Sequence, residues 1–122
     1  MSLKTFLTIA SASAIVFGVP LIFFPQMMAA NFGISLDSSG EVFAKTAGAM
    51  LVTLGLINWL ARNWKDTKAL KDLLLADILV QLLTLVIDFM SINSGAMNQM
   101  GWIGVILHIV LAAGLLYFYR KL

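Results

Sequence analysis

The sequence predicts an all-α fold: a four-helix transmembrane bundle with both termini on the cytoplasmic side. Three observations lead there. Hydrophobic residues make up 61% of the 122 positions and charged residues 11%, less than half the charged share of an ordinary soluble domain. Four apolar runs are each long enough to cross a hydrocarbon core of about 30 Å as a helix. Seven of the eight Lys and Arg fall at the N-terminus, between the second and third runs, or at the C-terminus. Fourteen charged side chains cannot keep the surface of a soluble globule of this size wet. The composition therefore excludes a soluble domain and a disordered chain. The net charge of +2 excludes a nucleic-acid binder. We expect one integral membrane domain over residues 1–122, with spans at about 5–24, 42–61, 70–90 and 100–119.

The first span is the uncharged run from Thr5, apolar from Phe6 to Phe24 and closed by Pro25 and Gln26. Gly18 and Pro20 inside it suggest a kink, which a bilayer helix tolerates. Lys4 and Ala10-Ser11-Ala12 resemble the parts of a signal peptide. Strong hydrophobicity continues well past that site, so a membrane span is expected instead. The connection after it has room for a short interfacial helix over Pro25–Gly33. The second span opens with Ser38-x-x-Glu41, a capping-box pattern. It closes with Trp59, Arg62, Trp64 and Lys65, a mix of tryptophan and base suited to a membrane–water boundary. The third span carries Asp77 and Asp88. The fourth ends in Tyr117, Tyr119, Arg120 and Lys121, a second aromatic and basic boundary. Ser35-Leu-Asp-Ser and Ser91-Ile-Asn-Ser in the first and third connections hint at duplicated two-helix halves.

Orientation follows from the bases. Lys4, Arg62, Lys65, Lys68, Lys71, Arg120 and Lys121 share one side if four spans are crossed, and the other two connections hold no base. The positive-inside rule then puts both ends in the cytoplasm.

Polar residues within the spans are the candidate functional residues, because an Asp at mid-span raises the insertion free energy by about 2.5–3.5 kcal/mol. Asp77, Gln81, Thr84 and Asp88 follow one another at intervals of four, three and four, within an arc of roughly 60° at 100° per residue. This edge should face protein or water rather than acyl chains. Two readings stand: a path for a proton, cation or small polar solute, or hydrogen bonding between helices at about 0.6–2 kcal/mol per contact. Depth matching offers partners. Lys45 lies about as deep as Asp88, and either pairs with it or snorkels outward. Asn58 lies about as deep as Asp77, with Arg62 also near that end. His108, the sole histidine, can relay a proton, bind a metal or haem, or simply hydrogen-bond to Thr84 or Asp88. Small residues mark packing seams: Ser11 and Gly18 on the first span, Ala44, Gly48 and Gly55 on the second.

Many chemistries have no residues to carry them. Without cysteine there is no disulfide, thiolate metal site or Cys nucleophile. The chain has no phosphate-binding glycine loop, no histidine pair for zinc and no Ser/His/Asp set in a recognisable context. An enzyme is not expected, and no cofactor is required by the sequence.

Phe23-Phe24-Pro25 at the end of the first span, Phe32-Gly33 after it, Gly48, and the exit Gly55-Leu-Ile-Asn-Trp-Leu-Ala-Arg62 together resemble small four-span bacterial membrane proteins of unknown function, loosely DoxX-like in layout. The resemblance covers most of the chain and implies a four-helix membrane bundle in a bacterial inner membrane. It brings no catalytic or binding residue with it. Small multidrug transporters have similar size, but their hallmark is a glutamate in the first helix, and the first span here has no carboxylate. Three functions fit the residues: transport or permeation through a homo-oligomer, an accessory or assembly subunit of a larger membrane complex, and an intramembrane binding module for lipid, quinone or haem near His108 and Trp102. Their shared partner is the lipid bilayer.

Overall fold

The computed structural model describes all residues from Met1 to Leu122. It contains five helices and no strand: α1 (Leu3–Phe23), α2 (Pro25–Asn31), α3 (Ser38–Ala61), α4 (Thr67–Asn93) and α5 (Gly101–Lys121). All but α2 are long and apolar enough to cross a membrane. At 1.5 Å per residue the shortest two, 21 residues each, run about 32 Å, close to the hydrocarbon thickness. The 27 residues of α4 run about 40 Å, longer than the hydrocarbon thickness, and its first turns carry Lys68, Lys71 and Asp72. A short helix, α2, is present in the connection where one was expected, and it is shorter than the 25–33 segment.

The chain divides into two compact units, Met1–Asn63 and Trp64–Leu122. In the first, α1 and α3 pack against each other, and α2 bridges them. The buried side of α1 is made by Phe6, Leu7, Ala10, Ser11 and Gly18. That of α3 is made by Gly48, Gly55, Asn58 and Ala61. Such small residues let two helix backbones approach closely, and van der Waals contact then holds the pair. The approach is tightest where Gly18 meets Gly48. A Cβ on Gly48 would lie 2.7 Å from the Gly18 carbonyl oxygen, and one on Gly18 would lie 2.9 Å from the Gly48 oxygen. Gly55 sits against Ser11 in the same way, its absent Cβ being 3.0 Å from the Ser11 oxygen.

The turn between α2 and α3 is fixed by a glycine. Gly33 has φ +73°, a left-handed conformation that other residues adopt at a cost. The Gly33 N–H donates to the Ala30 carbonyl and the Ile34 N–H to the Ala29 carbonyl, which is a Schellman closure of α2. Gln26 Nε2 donates to the Leu36 carbonyl at 3.1 Å and ties the turn back to α2. The cap of α3 differs from the expected box. Asp37, not Ser38, is the N-cap, and its Oδ1 accepts from the Gly40 N–H at 2.7 Å. Glu41 is therefore free to pair with Lys45 at 2.9 Å, one turn on.

In the second unit α4 and α5 form an antiparallel pair. Asp66 caps α4 by accepting from the Ala69 N–H at 3.0 Å. The buried residues Leu70, Leu74, Asp77 and Gln81 recur at intervals of four, three and four, the seam spacing of helices that wind around each other. From α5 the seam receives Gly101, Val105, Leu111, Leu115 and Phe118. The connection at residues 94–100 turns at Gly95, with φ +77°.

Candidate functional site

The polar edge of α4 is turned inward. Asp77 is 2% exposed and Gln81 8% exposed, while Thr84 and Asp88 are half-buried. This follows from the seam: all four positions continue the spacing begun by Leu70 and Leu74, so the face that buries leucine in the first turns buries polar groups further along. Facing it is His108 of α5. Its Nδ1 donates to Gln81 Oε1 at 2.6 Å, and its Nε2 lies 3.6 Å from Asp88 Oδ2. The imidazole and the carboxylate retain 18% and 15% side-chain exposure. The result is a polar row, Gln81–His108–Asp88, within a helix pair that is otherwise leucine, isoleucine and valine.

Its depth can be read from helix geometry. Asp88 lies about 8 Å from the end of α4, and His108 about 10 Å from the start of α5. Both lie within the apolar stretches of their helices, toward the 94–100 connection. A buried carboxylate in such surroundings requires a partner or a counter-charge, and His108 is that partner.

Gly104 makes room for it. A Cβ at this position would lie 2.5 Å from Asp88 Oδ2, so the carboxylate occupies space that any side chain would fill. Gly101, one turn earlier, serves packing instead, against Ile92 and Met97. Beyond the row, Phe89 and Trp102 meet edge to face with centroids 6.1 Å apart. Trp102 Nε1 donates to Gln99 Oε1 at 3.1 Å.

A family model for a domain of unknown function, DUF8292, matches residues 1–120. The chain belongs to the DUF8292 family. No curated protein and no solved structure matches it.

Several residues of this DUF8292 chain sit differently from their sequence-based expectations. Lys45 pairs with Glu41 of its own helix rather than with Asp88, and Asp88 pairs with His108. Arg62 turns back on its own helix. Its guanidinium lies 3.2 Å above the Trp59 ring, and Nη1 donates to the Trp59 carbonyl at 2.5 Å. Thr84 lies on the inward edge, but its hydroxyl donates to the Val80 carbonyl at 2.8 Å. It therefore makes the intrahelical bond usual for threonine and is not His108's partner. Asn58 is 3% exposed, and its Oδ1 has no hydrogen-bond partner. Ser11, Gly18, Gly48 and Gly55 lie together on the α1–α3 seam.

Two functional features were missed. Gln81 was placed on the edge but not matched to His108, and Gly104 was not recognised as the seat of Asp88. Both needed the register of α4 on α5, which separate residue depths do not supply. Once Asp88 is set opposite Gly104, the antiparallel arrangement carries His108 to the level of Thr84, between Gln81 and Asp88.

The row also bears on ligand chemistry. With Nδ1 donating to Gln81, Nε2 is the ring nitrogen left facing Asp88 Oδ2, 3.6 Å away. No group of three His, Cys, Asp or Glu side chains is assembled anywhere in the chain.

Proposed function

We propose that this protein is a small polytopic membrane protein of the bacterial inner membrane that passes a proton, cation or small polar solute along the polar edge of α4. The observation that carries this reading is the Gln81–His108–Asp88 row at membrane depth. A structural hydrogen bond between two helices needs one donor and one acceptor. Here a carboxylate, an imidazole and a carboxamide follow one another along the helix pair, with Asp77 one turn beyond Gln81. Ionisable groups placed this way in a membrane segment mark ion and proton routes. The partial exposure of Asp88 and His108 supports entry at the 94–100 end.

The bases support an orientation with both termini in the cytoplasm, since the positive-inside rule counts Lys and Arg in short loops. Entry at Asp88 would then be from the non-cytoplasmic side. The working form in this proposal is a homo-oligomer.

The test uses purified protein in proteoliposomes with a pH-reporting dye inside and an imposed proton or cation gradient. Flux is expected from the wild type. Asp88→Asn and Asp77→Asn are expected to abolish it while leaving helical content and the monodisperse detergent profile intact. Unchanged flux in both variants, or none from the wild type, would remove the proposal.

A further inference from the structure

The hydrogen bond between His108 and Gln81 decides which ring nitrogen carries the proton. A carboxamide oxygen can only accept. Because Gln81 Oε1 faces Nδ1 at 2.6 Å, Nδ1 must be the protonated nitrogen of neutral His108. Nε2 then points a lone pair at Asp88 Oδ2, 3.6 Å away. Two acceptors would face each other across an apolar seam, an arrangement that is repulsive as it stands. One added proton resolves it. Held on Asp88 it gives a neutral carboxyl beside a neutral imidazole; held on Nε2 it gives a carboxylate beside an imidazolium. Either way the pair has no net charge, the state favoured where a lone charge is poorly solvated.

We infer that the Asp88–His108 pair is a binding site for a single proton, and that Gln81 is the positioning residue that makes it one by presenting the bare Nε2 to the carboxylate. This rests on the permeation reading above and narrows its cargo. When the proton passes from Asp88 to His108, an O–H bond breaks, its electron pair stays on oxygen, and the Nε2 lone pair takes the proton. The net charge of the pair does not change. The 3.6 Å separation is closed by one bridging water or by a shift of the carboxylate.

A metal cation fits this row poorly. Alkali and alkaline-earth ions call for about six oxygen ligands. Within the α4–α5 pair Asp88 supplies the only carboxylate next to His108, and the Gln81 oxygen is already taken by Nδ1–H. A proton needs only the two atoms that face each other. Around the pair, α4 contributes Asp77 and Asp88 as titratable groups, with Lys68, Lys71 and Asp72 in its first turns. α5 contributes no other titratable group before Tyr117.

His108 is the sole histidine, so ¹⁵N-histidine labelling of the full chain in lipid nanodiscs reports on this ring alone. The wild type should show Nδ1 protonated throughout. Nε2 should gain a proton in one step on acidification, and NaCl or KCl should not displace that step. Gln81→Glu, whose carboxylate can only accept, should keep the Nδ1–H signal. Gln81→Leu should lose it. A bare Nδ1 in the wild type would overturn the inference, as would identical spectra for the Glu and Leu variants, or Na⁺ or K⁺ substituting for acid. Should Gln81→Leu fail to fold, the wild-type and Gln81→Glu spectra still decide. The two proposals fail separately: the expected spectra without flux would leave the proton site and remove permeation, whereas Na⁺ flux with a bare Nδ1 would do the reverse.

Discussion

Replacing Gly104 by alanine separates the polar row from the packing that surrounds it. The added Cβ would lie 2.5 Å from Asp88 Oδ2, and ordinary contact begins at 3.4 Å, so the carboxylate must withdraw by about 0.9 Å. The atom in the way is the far end of a rotatable side chain. The backbones of α4 and α5 need not part, and the variant should lie at the low end of the usual overpacking range of about 1–3 kcal/mol. The consequence for His108 is larger. Asp88 already stands 3.6 Å from Nε2, and a carboxylate forced elsewhere no longer faces the ring. The approach of the carboxylate to Nε2 is the coupling that the variant should lose. Two measurements check this. Denaturant unfolding in detergent should show a loss of about 1 kcal/mol, while ¹⁵N spectra should show the response of His108 to acid shifted away from wild type and proton flux strongly reduced. Wild-type spectra and flux in Gly104→Ala would refute the seat assigned to Asp88.

The other predictions concern the remaining parts of the chain. Gly48→Ala places a Cβ 2.7 Å from the Gly18 carbonyl. Backbone cannot rotate aside, so unfolding in detergent should show a loss near the top of the range, about 3 kcal/mol, with flux per folded protein retained. Asp37→Ala removes the bond to the Gly40 N–H and should lower stability by about 1 kcal/mol; Ser38→Ala should change it little, which reverses the ranking a capping box would give. Because the chain has no cysteine, single cysteines at Ser2, Lys65 and Asn98 report orientation directly. A membrane-impermeant maleimide added to spheroplasts should label Asn98→Cys alone, and labelling of Ser2→Cys or Lys65→Cys would contradict both ends being cytoplasmic.

The four long helices were legible because their signal is cumulative. Twenty apolar residues in a row outweigh any local ambiguity. The inward turn of Asp77 and Gln81 was legible for a related reason: a run of polar residues at helical spacing on an apolar helix has one tolerable direction. What the sequence concealed was relational. Lys45 was matched to Asp88 on depth, but Glu41, four residues away, was closer and lay on the same helix face. The competing local partner prevailed again at Arg62, which had Trp59 one turn behind it, and at Thr84, which had the Val80 carbonyl. In each case a bond within the helix requires no tertiary register. His108 had no such local partner, since every neighbour on α5 is apolar or glycine, and it bonds across to Gln81 of α4.

That contrast explains how the two units divide their chemistry. The α1–α3 seam is held by close backbone approach at Gly18, Gly48 and Gly55. The α4–α5 seam uses leucine near the start of α4 and then changes character. At Gln81 and Asp88 the knobs are polar, and at Gly104 the opposing helix withdraws its side chain to admit a carboxylate. Polar contacts between membrane helices contribute only about 0.6 kcal/mol on average, whereas an Asp at mid-span raises the insertion free energy by about 2.5–3.5 kcal/mol. Stability alone would therefore favour leucine at 81 and 88. A helix pair that places a carboxylate, an imidazole and a carboxamide in series, and gives up a side chain at 104 to do so, has the layout that the proposed proton site requires.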